Sequence, residues 1–264
     1  MLALTLMPLL LTGALLSAFG VFGGDDDAKT AQSTEPSEGD DLLIGTDGDD
    51  EINGKGGDDA ILGGEGDDTI YGREGSDFVF GDEGDDSLRG GEGDDGLIDL
   101  VGSDTLIGGA GDDVVIASGM PGNVATWTEQ AQSGQFEDSP AQWDFAEGDF
   151  GGDEVYLGKG NDFAEVGYND TVTGGEGFDT FAIIGAQGDL GDQDAPEITD
   201  FDIEEDALVV YYSGAAVPEL GYAVNAGGTV DVLADGQTAA TLANMTSLDA
   251  VAAIAVSFVE VYTS

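Results

Sequence analysis

From Gly45 to Ile116 a nine-residue unit repeats without a break, and this period constrains the fold more than any other property of the chain. In register the units read GTDGDDEIN, GKGGDDAIL, GGEGDDTIY, GREGSDFVF, GDEGDDSLR, GGEGDDGLI, DLVGSDTLI and GGAGDDVVI, after a partial unit EGDDLLI at Glu38 to Ile44. Gly recurs at the fourth place, Asp at the sixth and an aliphatic residue at the eighth. The eighth place carries Leu43, Ile52, Ile61, Ile70, Val79, Leu88, Leu97, Leu106 and Val115. Gly/Asp-rich composition alone would permit a disordered linker. A disordered acidic tract, however, has no need of a branched apolar residue at every ninth position.

Each unit divides into a six-residue turn and a three-residue strand. Glycine at the first, second and fourth places lets the backbone take positive φ and present its carbonyls. The sixth place adds a hard carboxylate oxygen. Carbonyls with carboxylates suit Ca²⁺, which accepts six to eight oxygens in a forgiving geometry. Mg²⁺ fits less well, because it demands a tight octahedron and retains its waters. The candidate metal ligands are therefore Asp41, Asp50, Asp59, Asp68, Asp77, Asp86, Asp95, Asp104 and Asp113, with the fourth-place Gly48, Gly57, Gly66, Gly75, Gly84, Gly93 and Gly111.

This G-G-x-G-x-D-x-U-x pattern resembles the calcium-binding nonapeptide repeat of the repeat-in-toxin (RTX), or hemolysin-type, proteins. The resemblance implies an all-β chain, a parallel β-roll in which two units make one coil and unit n stacks on unit n+2. It further implies that Asp50 and Asp68 share one ion, as do Asp41/Asp59, Asp59/Asp77, Asp68/Asp86, Asp77/Asp95, Asp86/Asp104 and Asp95/Asp113. Two bare carboxylates ~5 Å apart repel by roughly 3 kcal/mol at an effective dielectric near 20. Several such pairs exceed the ~5–15 kcal/mol net stability of a typical domain. Metal binding and folding are then expected to be one event.

The eighth side chain points inward along each strand, so the seventh and ninth point out. On one sheet the outer positions are Leu42, Ile44, Ala60, Leu62, Phe78, Phe80, Gly96, Ile98, Val114 and Ile116. On the other they are Glu51, Asn53, Thr69, Tyr71, Ser87, Arg89, Thr105 and Ile107. The first face is too apolar to meet water as one patch, so a cover is expected from this chain or a partner.

The formal net charge is −51, with only five basic residues. That excludes a phosphate-binding surface and hence nucleic acid as a partner. Cys and His are both absent, which removes disulfides, thiol nucleophiles, His-based triads and zinc-protease motifs. No catalytic motif remains recognisable, and a non-enzymatic module is expected.

Taken in order, residues 1–23 are an apolar segment long enough to span a bilayer. It reads as a signal peptide or as an uncleaved anchor, the only membrane contact expected. Residues 24–37 are an acidic linker, and 38–116 are the calcium-binding β-roll. Residues 117–150 form an insertion whose Trp127, Trp143, Phe136 and Phe145 fit either a plug on the apolar sheet or a binding surface. Residues 151–184 are a second, degenerate block of the repeat, with Glu154 at an expected aspartate place. Here Asp162 and Asp179 are the better ligands and Asp170 a weaker one. The spacing slips to eight residues between Asp162 and Asp170, leaving the ladder doubtful there. Residues 185–264 read as an antiparallel β cap, with a short helix opened by Thr246-Ser247-Leu248-Asp249 and a last strand in AVSFVEVY.

The expected function is an extracellular or cell-surface calcium-binding module. It would stay unfolded where calcium is scarce and fold where calcium reaches about 10⁻⁴–10⁻³ M. An extracellular polysaccharide or another cell-surface component is the alternative partner, met through the aromatic insertion. Ice binding needs a regular outward Thr array, and only Thr69 and Thr105 occupy such places.

Overall fold

The computed structural model describes residues 36–99, 101–118, 151–184, 194–212, 216–249 and 251–260. The apolar N-terminal segment and most of the aromatic insertion lie outside these residues. Among the described residues no helix is long and apolar enough to cross a membrane.

Counting strands along the described residues, the odd-numbered ones as far as β15, joined by β19, build one nine-stranded sheet, here sheet A. It runs β1 (Leu42–Ile44), β3 (Ala60–Glu65), β5 (Phe78–Glu83), β7 (Gly96–Ile98), β9 (Val114–Ile116), β11 (Phe163–Val166), β13 (Thr180–Ile183), β15 (Ala207–Tyr212) and β19 (Ala255–Glu260). Sheet B has ten strands. It runs β2 (Glu51–Gly56), β4 (Thr69–Glu74), β6 (Ser87–Glu92), β8 (Thr105–Ala110), β10 (Glu154–Lys159), β12 (Thr171–Glu176), β14 (Glu197–Ile198), β18 (Gln237–Leu242), β17 (Val230–Ala234) and β16 (Leu220–Val224). The alternation between sheets is the signature of a parallel β-roll.

The eighth-place residues set the register. In sheet A, Leu43 pairs with Ile61, then Val79, Leu97, Val115, Ala164, Phe181, Leu208 and Val256 in one continuous column. In sheet B the column is Ile52, Ile70, Leu88, Leu106, Val155, Val172 and Ile198. The two columns meet between the sheets as the main hydrophobic core. Burying one such side chain contributes roughly 1.5–3 kcal/mol, and a one-residue slip would turn every one of them outward.

The second block does not form a separate unit. Leu106 pairs directly with Val155, and Val115 with Ala164, so the roll continues across the insertion without loss of register. Placing Val155 inside puts Asp153, not Glu154, at the sixth place; Glu154 is exposed and Asp153 is buried. The eight-residue slip is absorbed in the turn before Asp170, where Asn169 takes a positive φ of 67°.

The C-terminal region departs from an antiparallel block. Antiparallel pairing is confined to β16–β17–β18. β15 and β19 extend sheet A in parallel, and β18 joins β14 in parallel. β15 is apolar along its whole length and buried on both faces from Leu208 to Tyr212, and the open edge of sheet A offers it more burial than a separate hairpin. The short helix is a single 3-10 turn at Val251–Ala253.

The two outer faces differ as the periodicity predicts. On sheet A, Ala60, Leu62, Phe78, Phe80, Ile98 and Ile116 are all buried, while Ile44 at the N-terminal edge is 40% exposed. Farther along the same face Glu165 is buried beside Ser118, whose hydroxyl donates to its carboxylate at 2.9 Å. On sheet B, Glu51, Ser87 and Arg89 are exposed.

Candidate metal centre

The places of the repeat do different work in the turn. In the first block positive φ occurs at the second and fourth places, not at the first. At the second place even Lys55, Arg73 and Asp82 adopt it, with φ of 82°, 99° and 92°. At the fourth place Gly57, Gly66, Gly75, Gly84, Gly93 and Gly111 are all left-handed, and a side chain at Gly75 would strike the Gly57 carbonyl of the adjoining coil. Gly48 has no such φ and open space around it. First-place glycines are required for another reason: a Cβ on Gly54, Gly63, Gly72 or Gly90 would occupy the space before Oδ2 of Asp59, Asp68, Asp77 or Asp95. The first place keeps a small oxygen-lined cradle open.

Two side-chain ladders stitch each turn to the turn stacked on it. The sixth-place Oδ1 accepts the backbone N–H of the sixth-place Asp one coil earlier: Asp41 to Asp59 at 2.8 Å, Asp59 to Asp77 at 2.9 Å, Asp77 to Asp95 at 2.8 Å and Asp95 to Asp113 at 2.9 Å. On the opposite edge Asp50 bonds to Asp68, Asp68 to Asp86 and Asp86 to Asp104, each at 2.7–2.8 Å. Both ladders cross the insertion, Asp104 to Asp153 and Asp113 to Asp162, at 2.8 Å. They end at Asp170 and Asp206, reached from Asp153 and Asp179 at 3.0 Å each. The fifth-place carboxylates run the other way: Oδ1 of Asp49, Asp58, Asp67 and Asp94 accepts the N–H one coil later.

What remains is the second oxygen of each sixth-place carboxylate. Oδ2 of Asp59, Asp68, Asp77, Asp86, Asp95, Asp113 and Asp162 is buried and has no hydrogen-bond partner. At the ladder ends the same atom is answered within its own turn: Asp41 by the N–H of Ser37, Asp50 by Thr46, Asp170 by Gly167 and Asp206 by Asp202. The open oxygens therefore lie between closed ends. A buried, unanswered carboxylate oxygen is strongly disfavoured. Burial drives the carboxyls up, to about 6 at Asp59, Asp86 and Asp162, about 7 at Asp77, Asp113 and Asp179, and about 8 at Asp95. The N–H at Oδ1 offsets part of this rise, and carboxylates of neighbouring turns add to it.

The donor set fits calcium. Each cradle presents a sixth-place Oδ2, and at Gly54 and Gly63 the first-place carbonyls of Gly72 and Gly81 from the next coil also border it. All are hard oxygens, from turns whose backbone is fixed by stacking. The structure brings every sixth-place aspartate named from the sequence into one of the two ladders. It adds Asp153 and Asp206, and places Asp170 in the ladder at full burial. The apolar residue two positions after each aspartate marks Asp153 and Asp170 in the sequence. Asp206 lies 27 residues beyond Asp179 and carries only that local cue.

The family model described as the RTX calcium-binding nonapeptide repeat matches residues 37–70, 62–97, 90–119, 143–164 and 166–182. A comparison with curated proteins finds no match. Among solved structures, the chain is similar to the AlgE6R3 subunit of the mannuronan C5-epimerase of Azotobacter vinelandii, at 20% identity and a TM-score of 0.32, covering 69% of this chain and 80% of that one. It is also similar to the extracellular lipase LipA of Serratia marcescens, at 18% identity and a TM-score of 0.25, covering 84% of this chain and 38% of that one. With its repeats matched from residue 37 to residue 182, the chain belongs to the proteins built on RTX calcium-binding nonapeptide repeats.

Proposed function

We propose that the chain is a secreted or surface-displayed module whose β-roll folds as calcium bridges its aspartate ladders, and that it binds or supports rather than catalyses. The observation that carries this reading is the run of buried Oδ2 atoms without partners between hydrogen-bonded ladder ends. Calcium at those oxygens neutralises the ladders and converts mutual repulsion into cross-links between coils. Ions that bind only the folded chain stabilise it by mass action. The sixth-place aspartates and the carbonyls at their cradles are the ligands in this reading.

Equilibrium dialysis of the full chain against calcium and against magnesium tests it, with bound metal counted per chain. Several bound calcium ions, with little magnesium, are expected. A count of zero or one calcium would overturn the reading. Recovery of the chain from the medium rather than the cell pellet tests the secreted or surface role.

A second reading concerns the partner. Lys55, Arg73 and Arg89, three of the five basic residues in the chain, line one shallow cleft on sheet B with Asn53, Tyr71 and the two carboxylates of Glu74 and Glu92. The Arg73 guanidinium stacks 4.6 Å from the Tyr71 ring centroid. Cations and an aromatic ring gathered on an otherwise acidic molecule suit an acidic polysaccharide, recognised by its carboxylates and sugar faces. A glycan-binding assay comparing uronate and neutral polymers, with R73A/R89A as control, decides it: equal binding of both polymers, or no loss in the variant, rejects this partner.

A further inference from the structure

The seventh unit, DLVGSDTLI, begins with Asp99, whereas the other complete units of the first block begin with glycine. Its turn stacks on that of the fifth unit: Leu106 pairs with Leu88, Val101 bridges Glu83, and Asp104 Oδ1 accepts the Asp86 N–H at 2.8 Å. The pattern of the repeat gives the first place no side chain, so nothing in it assigns a role to a carboxylate there. Asp99 is fully buried nonetheless. The Oδ2 atoms of Asp86 and Asp99 converge on the cradle at Gly81, the position where other turns hold one carboxylate oxygen.

Carboxylate oxygens of Asp86, Asp99 and Asp104 all lie within 4.8 Å of one another, and all three residues are buried. Oxygens so spaced surround a common point at close to the ~2.3–2.6 Å reach of Ca²⁺ to oxygen. A separate observation points to a cation. Asp86 is only 3% exposed, and its Oδ2, aimed into this cradle, meets no N–H or hydroxyl donor, only the facing carboxyl of Asp99.

We propose that Asp86, Asp99 and Asp104 form a three-carboxylate calcium site that fills before the two-carboxylate steps of the ladders. This rests on the calcium reading of the ladders and assigns them an order. Affinity for calcium rises with the number of charged oxygen ligands, and this step has one carboxylate more than its neighbours. It is the third of the five steps in the ladder that runs from Asp50 to Asp170, so its ion fixes the stacking of two coils before the flanking steps close.

The test counts calcium per chain by atomic emission across a series of chelator-buffered free calcium concentrations, using the full chain, D99N and D99G. D99N keeps the shape and removes the charge. D99G restores the glycine of the other units, so folding is not at risk. The expected result is that the wild-type chain retains one ion at free calcium about tenfold below that which fills the rest. In both variants that early step merges with the others. Identical filling curves for all three chains would overturn the proposal. So would one additional ion in D99G, because the Asp99 side chain would then be standing where an ion belongs. A wild-type chain that binds no calcium would remove the ladder reading itself, a failure distinct from a shared curve with many ions bound.

Discussion

Inside the roll, Ile61, Ile70, Val79, Leu88 and Leu97 meet other apolar side chains and are fully buried. Two positions earlier in each unit, Asp59, Asp68, Asp77, Asp86 and Asp95 are almost as completely buried, each with one carboxylate oxygen unanswered. The same stacking produces both columns. The interior needs only contact with itself, whereas the turn edges need something the chain does not contain. Stability of this fold therefore separates into a part that follows apolar burial and a part that follows the ions.

That separation can be broken at the interior first. Leu88→Ala leaves a cavity in the sheet B column and is expected to lose about 2–5 kcal/mol in saturating calcium. Urea unfolding checks this, and an unchanged midpoint would mean that the ions alone hold the coils. The outer faces offer a second contrast. Phe80→Asp places an unpaired charge on the buried face of sheet A and should destabilise by about 3 kcal/mol. Ser87→Asp on the exposed face of sheet B should stay within about 0.5 kcal/mol. Equal effects at the two positions would show that the two faces are equivalent.

At the edges the sign should depend on calcium. Asp95→Asn removes a buried charge, so it should stabilise the chain in chelator and destabilise it in calcium, by about 1–3 kcal/mol in each direction. The same sign in both conditions would contradict a ligand role for Asp95. The pH dependence follows the same logic. Without metal, folded carboxyls raised to about 6, 7 and 8 at Asp59, Asp77 and Asp95 bind protons more tightly than in the unfolded chain. The stability they contribute is present in full below the ordinary carboxylate range and is lost as pH rises through about 6 to 8. The metal-free chain should thus be most structured near pH 4, while in calcium the order reverses because protons displace the ions. Circular dichroism at both pH values, with and without chelator, reads this directly.

Much of this architecture is legible in the period of nine. The eighth-place column, the stacking of alternate units and the two aspartate ladders all follow from residues that recur at fixed spacing. What escapes is whatever depends on an interruption. Glu154 occupies the sequence position next to the true ladder residue, Asp153, because only the inward seat of Val155 decides between them. β19 joins β15 in parallel although 42 residues, with the antiparallel β16–β17–β18 among them, separate Tyr212 from Ala255. Local turn signals do not encode such a pairing; it is set by which edge offers more apolar surface. The first-place glycines were legible as glycines but not in their role, since their φ is ordinary and only the oxygen in front of them explains the missing side chain.

The most direct test of the account is a calcium titration of the metal-depleted chain at neutral pH, followed by far-UV circular dichroism, with magnesium as control. Cooperative gain of β-structure at sub-millimolar to millimolar calcium, about 10⁻⁴–10⁻³ M, and none with magnesium, is the predicted result. A chain already fully β-structured in chelator, and unchanged by calcium, would contradict it, because the apolar columns would then suffice to hold the buried carboxylates together.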